Sequence, residues 1–297
     1  MIQTFRNAWK IPELKKKILF TIFALLIFRL GAAVPVPFIN TELLQRTIQA
    51  KSGTIFGLLN TMSGSAFSQA TVFALSIQPY INSSIIIQLL TIAIPALERL
   101  QKEGGEEGRK KIAAITRYTT VAIALLQGFG YYTLIKSYGF IEQSGFWPAI
   151  VIVLSFTAGS AFLMWLGEQI TEFGIGNGIS IILFAGIISR VPTMIATMIT
   201  GVSNYVKGTE LTEAQISAGY TLTKFHPVFV PLFLVGMLLI VIFIVFITNA
   251  ERRIPVQYAK RVVGRKMYGG QSTHLPMKVN MSGVLPIIFA QAIASLP

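Results

Sequence analysis

Long apolar stretches, separated by short polar segments, are the main pattern along this chain. Each of the first six stretches holds enough residues to cross about 30 Å of hydrocarbon as a helix, which takes about 20 residues. The pattern therefore predicts an all-α, polytopic bundle of transmembrane helices. The predicted spans lie at about residues 18–36, 72–95, 112–135, 147–167, 179–200 and 228–248.

A seventh apolar stretch begins at Val284 and reaches the last residue of the sequence without a charged flank. Because residues 284–297 are too few for a full span, we expect this sequence to be the amino-terminal part of a longer chain. Residues 1–178 then contain the first four spans, and residues 179–297 contain spans five to seven.

The composition agrees with a membrane protein, since 53% of the residues are hydrophobic, 12% are charged and the net charge is +13. A soluble domain carries roughly a quarter of charged residues. A cleaved secretory signal is the alternative interpretation of Lys15–Val34, which combines a basic start with small residues. Six further apolar stretches, together with Pro35 and Pro37 at the candidate cleavage point, argue against it.

The basic residues predict the orientation, because Lys and Arg beside a span are retained on the cytoplasmic side. With the amino terminus in the cytoplasm, 18 of the 25 basic residues lie in cytoplasmic segments. These are Arg6, Lys10, Lys15 to Lys17, Arg99, Lys102, Arg109 to Lys111, Arg117 and the seven from Arg252 to Lys278. Six others lie outside, and Arg29 lies within the first span.

Catalytic chemistry has few candidates in this sequence. Cysteine and aspartate are absent, and the two histidines, His226 and His274, lie in separate loops. This composition excludes disulfides, thiol-bound metals and an aspartyl protease site from these residues. The glycines of GIGNG at 174–178 follow a membrane helix and no strand, so they predict a tight loop and not a dinucleotide site. We expect no enzyme activity, no metal and no cofactor.

The second span and the segment before it are unusually polar. Residues 57–70 are small, polar and mildly apolar, and they fit either a half-helix folded back into the protein or a surface loop. We expect them to run into the second span without a break. That span carries Asn82, Ser83 and Gln88 beside an isoleucine stripe. Its polar groups need partners, either on neighbouring helices or in a water-filled seam.

Two segments between spans are strongly charged. Residues 98–111 carry both signs and three glycines, which predicts a solvated turn. The segment from Asn249 to Gly283 has seven basic residues and one acidic residue, and its start, RRIPVQY, alternates as a half-exposed strand does. A basic finger of this kind suits an anionic partner such as RNA or an acidic protein surface. Anchoring to lipid headgroups is the alternative.

Several long motifs together resemble one family. FALSIQPYINSSIIIQLL, MWLGEQITEFGIGNGISIILFAGI, RRIPVQYAKR and YGGQSTHLPMKVNMSGVLPIIFAQAI closely resemble the SecY family, the channel subunits of bacterial protein translocases. The likeness is collinear over essentially the whole sequence. It implies a ten-span fold in two inverted-repeat halves around an hourglass pore, of which the last three spans are absent here.

The resemblance also implies roles for particular residues at the pore. It assigns Ile77, Ile81, Leu183 and Ile288 to an aliphatic ring at the waist of the channel. Such a constriction excludes water and ions, yet its side chains can part around a polypeptide. Gln78 departs from the apolar residue that is more common in the family.

A plug and a lateral gate are implied in the same way. The plug corresponds to residues 57–70 and includes Leu58, Asn60, Met62, Ser65 and Phe67. The lateral gate, between spans two and three on one side and spans seven and eight on the other, includes Asn82, Gln127 and Leu296.

The basic loop corresponds to the family's docking site for the ribosome and for the SecA motor. Its candidate docking residues are Arg252, Arg253, Lys260, Arg261, Arg265 and Lys266. The resemblance further implies SecE and SecG as partner subunits, signal peptides and nascent chains as substrates, membrane lipids around the wall, and a location in the bacterial cytoplasmic membrane. It implies translocation of unfolded secretory polypeptides and lateral release of membrane segments.

A secondary transporter is the main alternative from another class, since transporters also have many spans and broken helices. Coupled transport usually requires an ionisable group near the middle of the membrane. The predicted spans offer only Arg29 and, near one end, Arg117, so the pattern favours the channel.

Overall fold

The computed structural model describes residues 9, 11–50, 55–142, 145–208, 224–256, 261–263, 266–268 and 273–278. The chain forms two compact units, residues 1–193 and residues 194–297. The first unit contains α1 (Pro12–Gly31), α2 (Thr41–Ala50), α3 (Ile55–Met62), α4 (Gln78–Ala93), α5 (Pro95–Lys102), α6 (Gly105–Ser137), α7 (Phe146–Phe173) and α8 (Gly178–Ile188).

Helix α9 (Val191–Val206) begins at the end of the first unit and continues into the second. The second unit also contains α10 (Phe229–Asn249) and four strands. The strands are β1 (Glu251–Val256), β2 (Arg261–Val263), β3 (Lys266–Tyr268) and β4 (Thr273–Lys278).

Several helices have the length and apolarity of membrane spans. Within the described part of the chain these are α6, α7, the α8–α9 pair and α10, and the bent pair α4–α5 is a fifth if it counts as one span. They confirm the prediction of a polytopic helical membrane protein. The first predicted span is the 20-residue helix α1, which begins earlier than predicted, with Pro12 in its first turn, and ends at Gly31.

The prediction of one continuous helix through residues 72–95 is wrong. Residues 63–77 form turns, and α4 begins only at Gln78. Ser65, Ala70 and Ser76 have φ values of 76°, 45° and 53°. A non-glycine residue in this left-handed region cannot continue a right-handed helix. The non-helical backbone therefore begins directly after α3.

The other end of this span is bent as well. The axes of α4 and α5 meet at 102°. Ile94 is extended, with φ −108° and ψ 112°, because the following Pro95 disfavours helical backbone before it and has no N–H to donate. The pair thus turns sharply where the second predicted span ends.

Residues 98–111, predicted to be a turn, are largely helical in the structure. They belong to the end of α5 and the start of α6, with a short break near Gly104. Exposed i,i+4 ion pairs, Glu98–Lys102 and Glu107–Lys111, support the two helices. The opposite charges in this segment, which indicated exposure to solvent, therefore also stabilise the ends of α5 and α6.

The predicted tight loop at residues 174–178 is confirmed. Asn177 caps α8, since its side-chain oxygen accepts a hydrogen bond from the backbone N–H of Ser180 at 3.2 Å. The fifth predicted span is interrupted at Ser189 and Arg190, which separate α8 from α9. Arg190, in this short break, contacts α3, the helix that packs against α8.

Two clusters of buried side chains form the core of the first unit. The first, here named the aromatic cluster, includes Leu44, Phe67, Tyr131, Phe140 and Phe156. The second, named the aliphatic cluster, includes Phe28, Phe73, Ile77, Leu163 and Ile182. Helices α6 and α7 pack against each other, and α4 packs against α6.

The second unit has a helix followed by two antiparallel strand pairs. Strand β1 pairs with β4, with Glu251 opposite Lys278 and Val256 opposite Thr273, and β2 pairs with β3. Strand β1 confirms the strand predicted at residues 254–256, but not its half-exposed alternation, because Glu251 to Pro255 are all exposed. The strands add a small β element to the helical fold. The seventh predicted span, at residues 284–297, lies outside the described residues.

Candidate functional site

Three of the four predicted ring residues share the aliphatic cluster. Ile77 directly precedes α4 and is fully buried, while Ile81, one turn further along, and Leu183 on α8 are half-buried against the same cluster. Ile288 lies outside the described residues. The structure therefore brings together side chains from two predicted spans that are about 100 positions apart in the sequence.

A glycine on α7 makes this meeting possible. A Cβ atom at Gly167 would lie 2.8 Å from Cδ1 of Ile179 and 3.5 Å from Cδ1 of both Ile182 and Ile77. The absence of a side chain lets α7 lie directly against these isoleucines. The sequence analysis missed Gly167 and Ile182, because an isolated glycine and an unbroken isoleucine run carry no sign of which face packs.

Ile81 and Leu183 differ from Ile77 in their exposure. Ile77 has no exposed surface, whereas Ile81 and Leu183 each keep part of their surface free. Within this part of the chain, Ile77 is therefore an inner member of the cluster, and Ile81 and Leu183 lie at its edge.

The predicted plug divides into two parts of different character. Helix α3 ends at Met62, which is half-buried, and residues 63–70 form turns and not the predicted half-helix. The reason is the positive φ of Gly64, at 65°, and of Ser65. The side chain of Leu58 lies outside the described residues.

The second part of this segment is anchored in the aromatic cluster. Phe67 is buried and stacks on Tyr131 with ring centroids 4.5 Å apart, and the Tyr131 hydroxyl donates to the Phe67 carbonyl oxygen. Asn60 is also buried, and its side-chain oxygen accepts from the backbone N–H of Ser68 at 3.0 Å. Residues 63–70 are thus fixed to α6 through Phe67, and the end of α3 is joined to them through Asn60.

The predicted lateral gate residues lie on packed helices but at different depths. Asn82 on α4 is 1% exposed. Its neighbour Ser83 donates to the carbonyl oxygen of Thr116 on α6 at 2.8 Å. Gln127 is half-buried eleven residues further along α6, a rise of about 16 Å at 1.5 Å per residue. Leu296 lies outside the described residues.

Asn82 has unusual hydrogen bonding. Neither its side-chain nitrogen nor its side-chain oxygen has a hydrogen-bond partner among the described residues. A buried amide without partners costs free energy, about 1–3 kcal/mol for each unpaired group. The polarity of the second span is thus only partly satisfied by neighbouring helices.

The sequence analysis missed an ion pair between adjacent spans. Arg117 on α6 donates through Nε to Oε1 of Glu168 on α7 at 2.9 Å. The pair lines a cavity of about 320 Å³ together with Tyr80, Thr171, Glu172, Asn177 and Ile179. The sequence did offer a signal for this ion pair, since Arg117 and Glu168 carry opposite charges near the ends of two successive predicted spans that lie on the same side of the membrane.

Four of the six predicted docking residues lie in the strands of the second unit. Arg252 and Arg253 are exposed on β1, opposite Met277 and Pro276 of β4. Arg261 and Lys266 begin β2 and β3, but the surroundings of their side chains are outside the description, as are Lys260 and Arg265. Two basic side chains are therefore displayed at the base of the loop.

A broken second span, an aliphatic cluster at the break and several long apolar helices define a polytopic helical membrane protein. A family model described as SecY matches residues 71–297. The Protein translocase subunit SecY of Streptomyces coelicolor is 41% identical over 100% of this chain and 66% of its own length. The corresponding subunit of Escherichia coli K12 is 45% identical over 96% and 61%. The chain belongs to the SecY family.

Solved structures agree on the fold. A structure described as a protein conducting channel gives a TM-score of 0.60 at 19% identity and covers 97% of this chain and 60% of its own chain. Sec61 in a canine ribosome-channel complex gives 0.59 at 18% identity, with the same coverage. The chain spans about two thirds of the length of the curated relatives named above.

The anchor of residues 63–70 can be tested with Tyr131→Phe. The substitution keeps the ring but removes one of two hydrogen bonds to the Phe67 carbonyl, the other coming from the Ala70 N–H. We expect a loss of about 1 kcal/mol in the free energy of unfolding, measured as a lower melting temperature in detergent. The control is Tyr118→Phe on the same helix, where the ring is 79% exposed. Equal melting temperatures for the two variants would contradict the anchor.

Proposed function

We propose that this chain is part of the channel subunit of a protein translocase in a bacterial cytoplasmic membrane. Unfolded secretory polypeptides would cross through the channel, and membrane segments would leave sideways into the lipid. Membership of the SecY family and the fold shared with a protein conducting channel support this proposal. The relatives named above are protein translocase subunits.

The observation that carries the proposal is the aliphatic cluster at the break in the second span. Ile81 and Leu183 come from α4 and α8 and keep free surface over a buried Ile77. Aliphatic side chains that face each other across a narrow opening repel water and so block ions, yet they can move apart without losing hydrogen bonds. Ile288 would complete this part of the ring.

Residues 57–70 would act as the plug, with α3 as its moving part. Helix α3 packs against α8, whereas Phe67 is held in the aromatic cluster. Displacement of the whole 57–70 segment would expose Phe67, and displacement of α3 alone would not. The plug therefore divides into a gate, α3, and a hinge that begins at Ser63.

Asn82 would belong to the lateral gate, with Gln127 and Leu296 further along it. Its unpaired amide could bond to a helix on the other side of the gate. Such a bond contributes only about 1 kcal/mol, so a signal peptide that enters the gate could break it. Membrane lipids would contact the wall when the gate opens.

The strand pair β1–β4 would carry the docking surface for the ribosome and for the SecA motor. Arg252 and Arg253 would make the first contacts, and Lys260, Arg261, Arg265 and Lys266 would extend the basic surface. This places the loop and the amino terminus in the cytoplasm, in line with the distribution of basic residues. SecE and SecG would be the partner subunits of the complete translocase.

The pore ring can be tested by Ile81→Asn in the full-length subunit, reconstituted with its partners in liposomes. A polar amide in the constriction would allow water to enter, so we expect a several-fold higher ion conductance of the resting channel. The control is Ile92→Asn on the same helix, where the side chain is 80% exposed. Unchanged conductance with Ile81→Asn, or an equal rise in the control, would reject the ring assignment.

The docking surface can be tested by reversing both Arg252 and Arg253 to Glu. Loss of two positive charges should weaken contacts with RNA phosphates, so we expect less cosedimentation with ribosomes and a steeper loss at higher salt. Transport driven by SecA should fall as well. Lys224→Glu, an exposed substitution on the predicted outside, is the control. If the reversed variant binds ribosomes fully, the docking assignment is wrong, and anchoring to lipid headgroups becomes the interpretation of the loop.

A further inference from the structure

We propose that Arg190 is a latch that holds α3 against α8 in the resting channel. This inference rests on the proposed channel function, and Arg190 is a positioning residue of the gate. Arg190 lies in the two-residue break between α8 and α9. Its guanidinium Nη1 donates a hydrogen bond to the hydroxyl oxygen of Thr61 on α3 at 3.0 Å.

The position of the Thr61 hydroxyl is set by its own helix. Its hydrogen is donated to the carbonyl oxygen of Gly57 at 2.8 Å, one turn earlier. The lone pairs of the hydroxyl oxygen are therefore available to Arg190 as an acceptor. Arg190 thus contacts a site that exists only while the last turn of α3 is intact and in place.

Two glycines, Gly64 and Gly186, form a close contact between the end of α3 and α8 near this bond. A Cβ atom at Gly64 would lie 2.6 Å from Ser189 Oγ and 2.9 Å from the Gly186 carbonyl oxygen. A Cβ atom at Gly186 would lie 2.5 Å from the carbonyl oxygen of Met62. At Gly64 and Gly186 the end of α3 and the turn after it therefore lie directly against the backbone of α8.

Glycine has no side chain to interlock at these two positions, so a directional bond beside them can hold the close contact in place. The Arg190–Thr61 bond supplies that direction, and a charged donor makes it stronger than a neutral hydrogen bond. Among the described ion pairs, Arg190 has no carboxylate partner. Because its acceptor is a neutral hydroxyl, opening leaves no carboxylate buried alone, and both groups can turn to water.

The other end of the segment behaves differently. Phe67 and Ser68 are buried, and Tyr131 and Asn60 bond to their backbone. Helix α3 is therefore held to the anchored turn by Asn60 and to α8 by Arg190, and opening of the latch lets α3 tilt away from α8 about the turn.

The test is Arg190→Gln in the full-length subunit, reconstituted with its partners. We expect a several-fold rise in the ion conductance of the resting channel, with a cooperative melting transition and transport of a signal-bearing substrate retained. Arg190→Lys keeps the charge with a single donor group and should leak less than Arg190→Gln. The control is Arg46→Gln, an exposed substitution on α2, which should leave the conductance unchanged.

A double-mutant cycle separates the latch from a general effect of charge. Thr61→Val keeps the shape of the side chain and removes the acceptor, so it should leak like Arg190→Gln. If the two groups act through one bond, the double variant Arg190→Gln with Thr61→Val should leak no more than either single variant. Additive effects in the double variant would contradict the latch.

The outcomes also separate this inference from the channel function itself. If Arg190→Gln transports polypeptide with normal resting conductance, the latch is wrong and the channel stands. If its conductance rises because the complex no longer melts in one cooperative transition, Arg190 has a structural role and the latch is wrong. If the unsubstituted complex moves no polypeptide, the proposed function fails before the latch is tested.

Discussion

The first unit depends on the need to pair every backbone polar group in non-helical chain at membrane depth. Lipid offers no hydrogen bonds, so the turns at residues 63–77 are stable only inside protein. Val36 and Val72 supply part of the pairing, since Val36 N–H donates to the Ala70 carbonyl and Val72 N–H to the Val34 carbonyl, each at 3.0 Å. Side chains on α6 and α7 complete it, because Tyr131 donates to Phe67 and Ser160 donates to Ser76 at 3.2 Å.

This pairing decides which parts of the site can move. The turn at residues 63–70 is tied to α6 and to the segment after α1, so moving it would break several bonds at once. Helix α3 is joined to that turn by the Asn60–Ser68 bond and to α8 by the Arg190–Thr61 bond, so it can tilt away from α8 when the bond to Arg190 breaks. The aliphatic cluster stands beside this boundary, with Ile77 fixed behind Ile81 and Leu183. The turn at residues 63–70 and the aliphatic cluster are thus the fixed part of the site, and α3 is the part that moves.

Sequence reasoning reached the features that depend on local pattern. The apolar stretches predicted the helices of the bundle, the glycines at 174–178 predicted a tight loop, and alternation predicted β1. The turns before α4 were missed, because Ser65, Ala70 and Ser76 adopt positive φ only where tertiary hydrogen bonds hold them. The bend at Ile94 could have been predicted from Pro95 alone. The ion pair of Arg117 and Glu168 required knowledge of which spans are neighbours.

The central claim is that Ile81 and Leu183 line the path of a translocating polypeptide. The most direct measurement places a photoreactive residue at each position in the full-length complex and arrests a substrate in mid-transit. The account predicts crosslinks to the substrate from positions 81 and 183, and few from the 80% exposed Ile92 or the 63% exposed Phe184. Crosslinks that are absent at 81 and 183, or equally strong at 92 and 184, would contradict it.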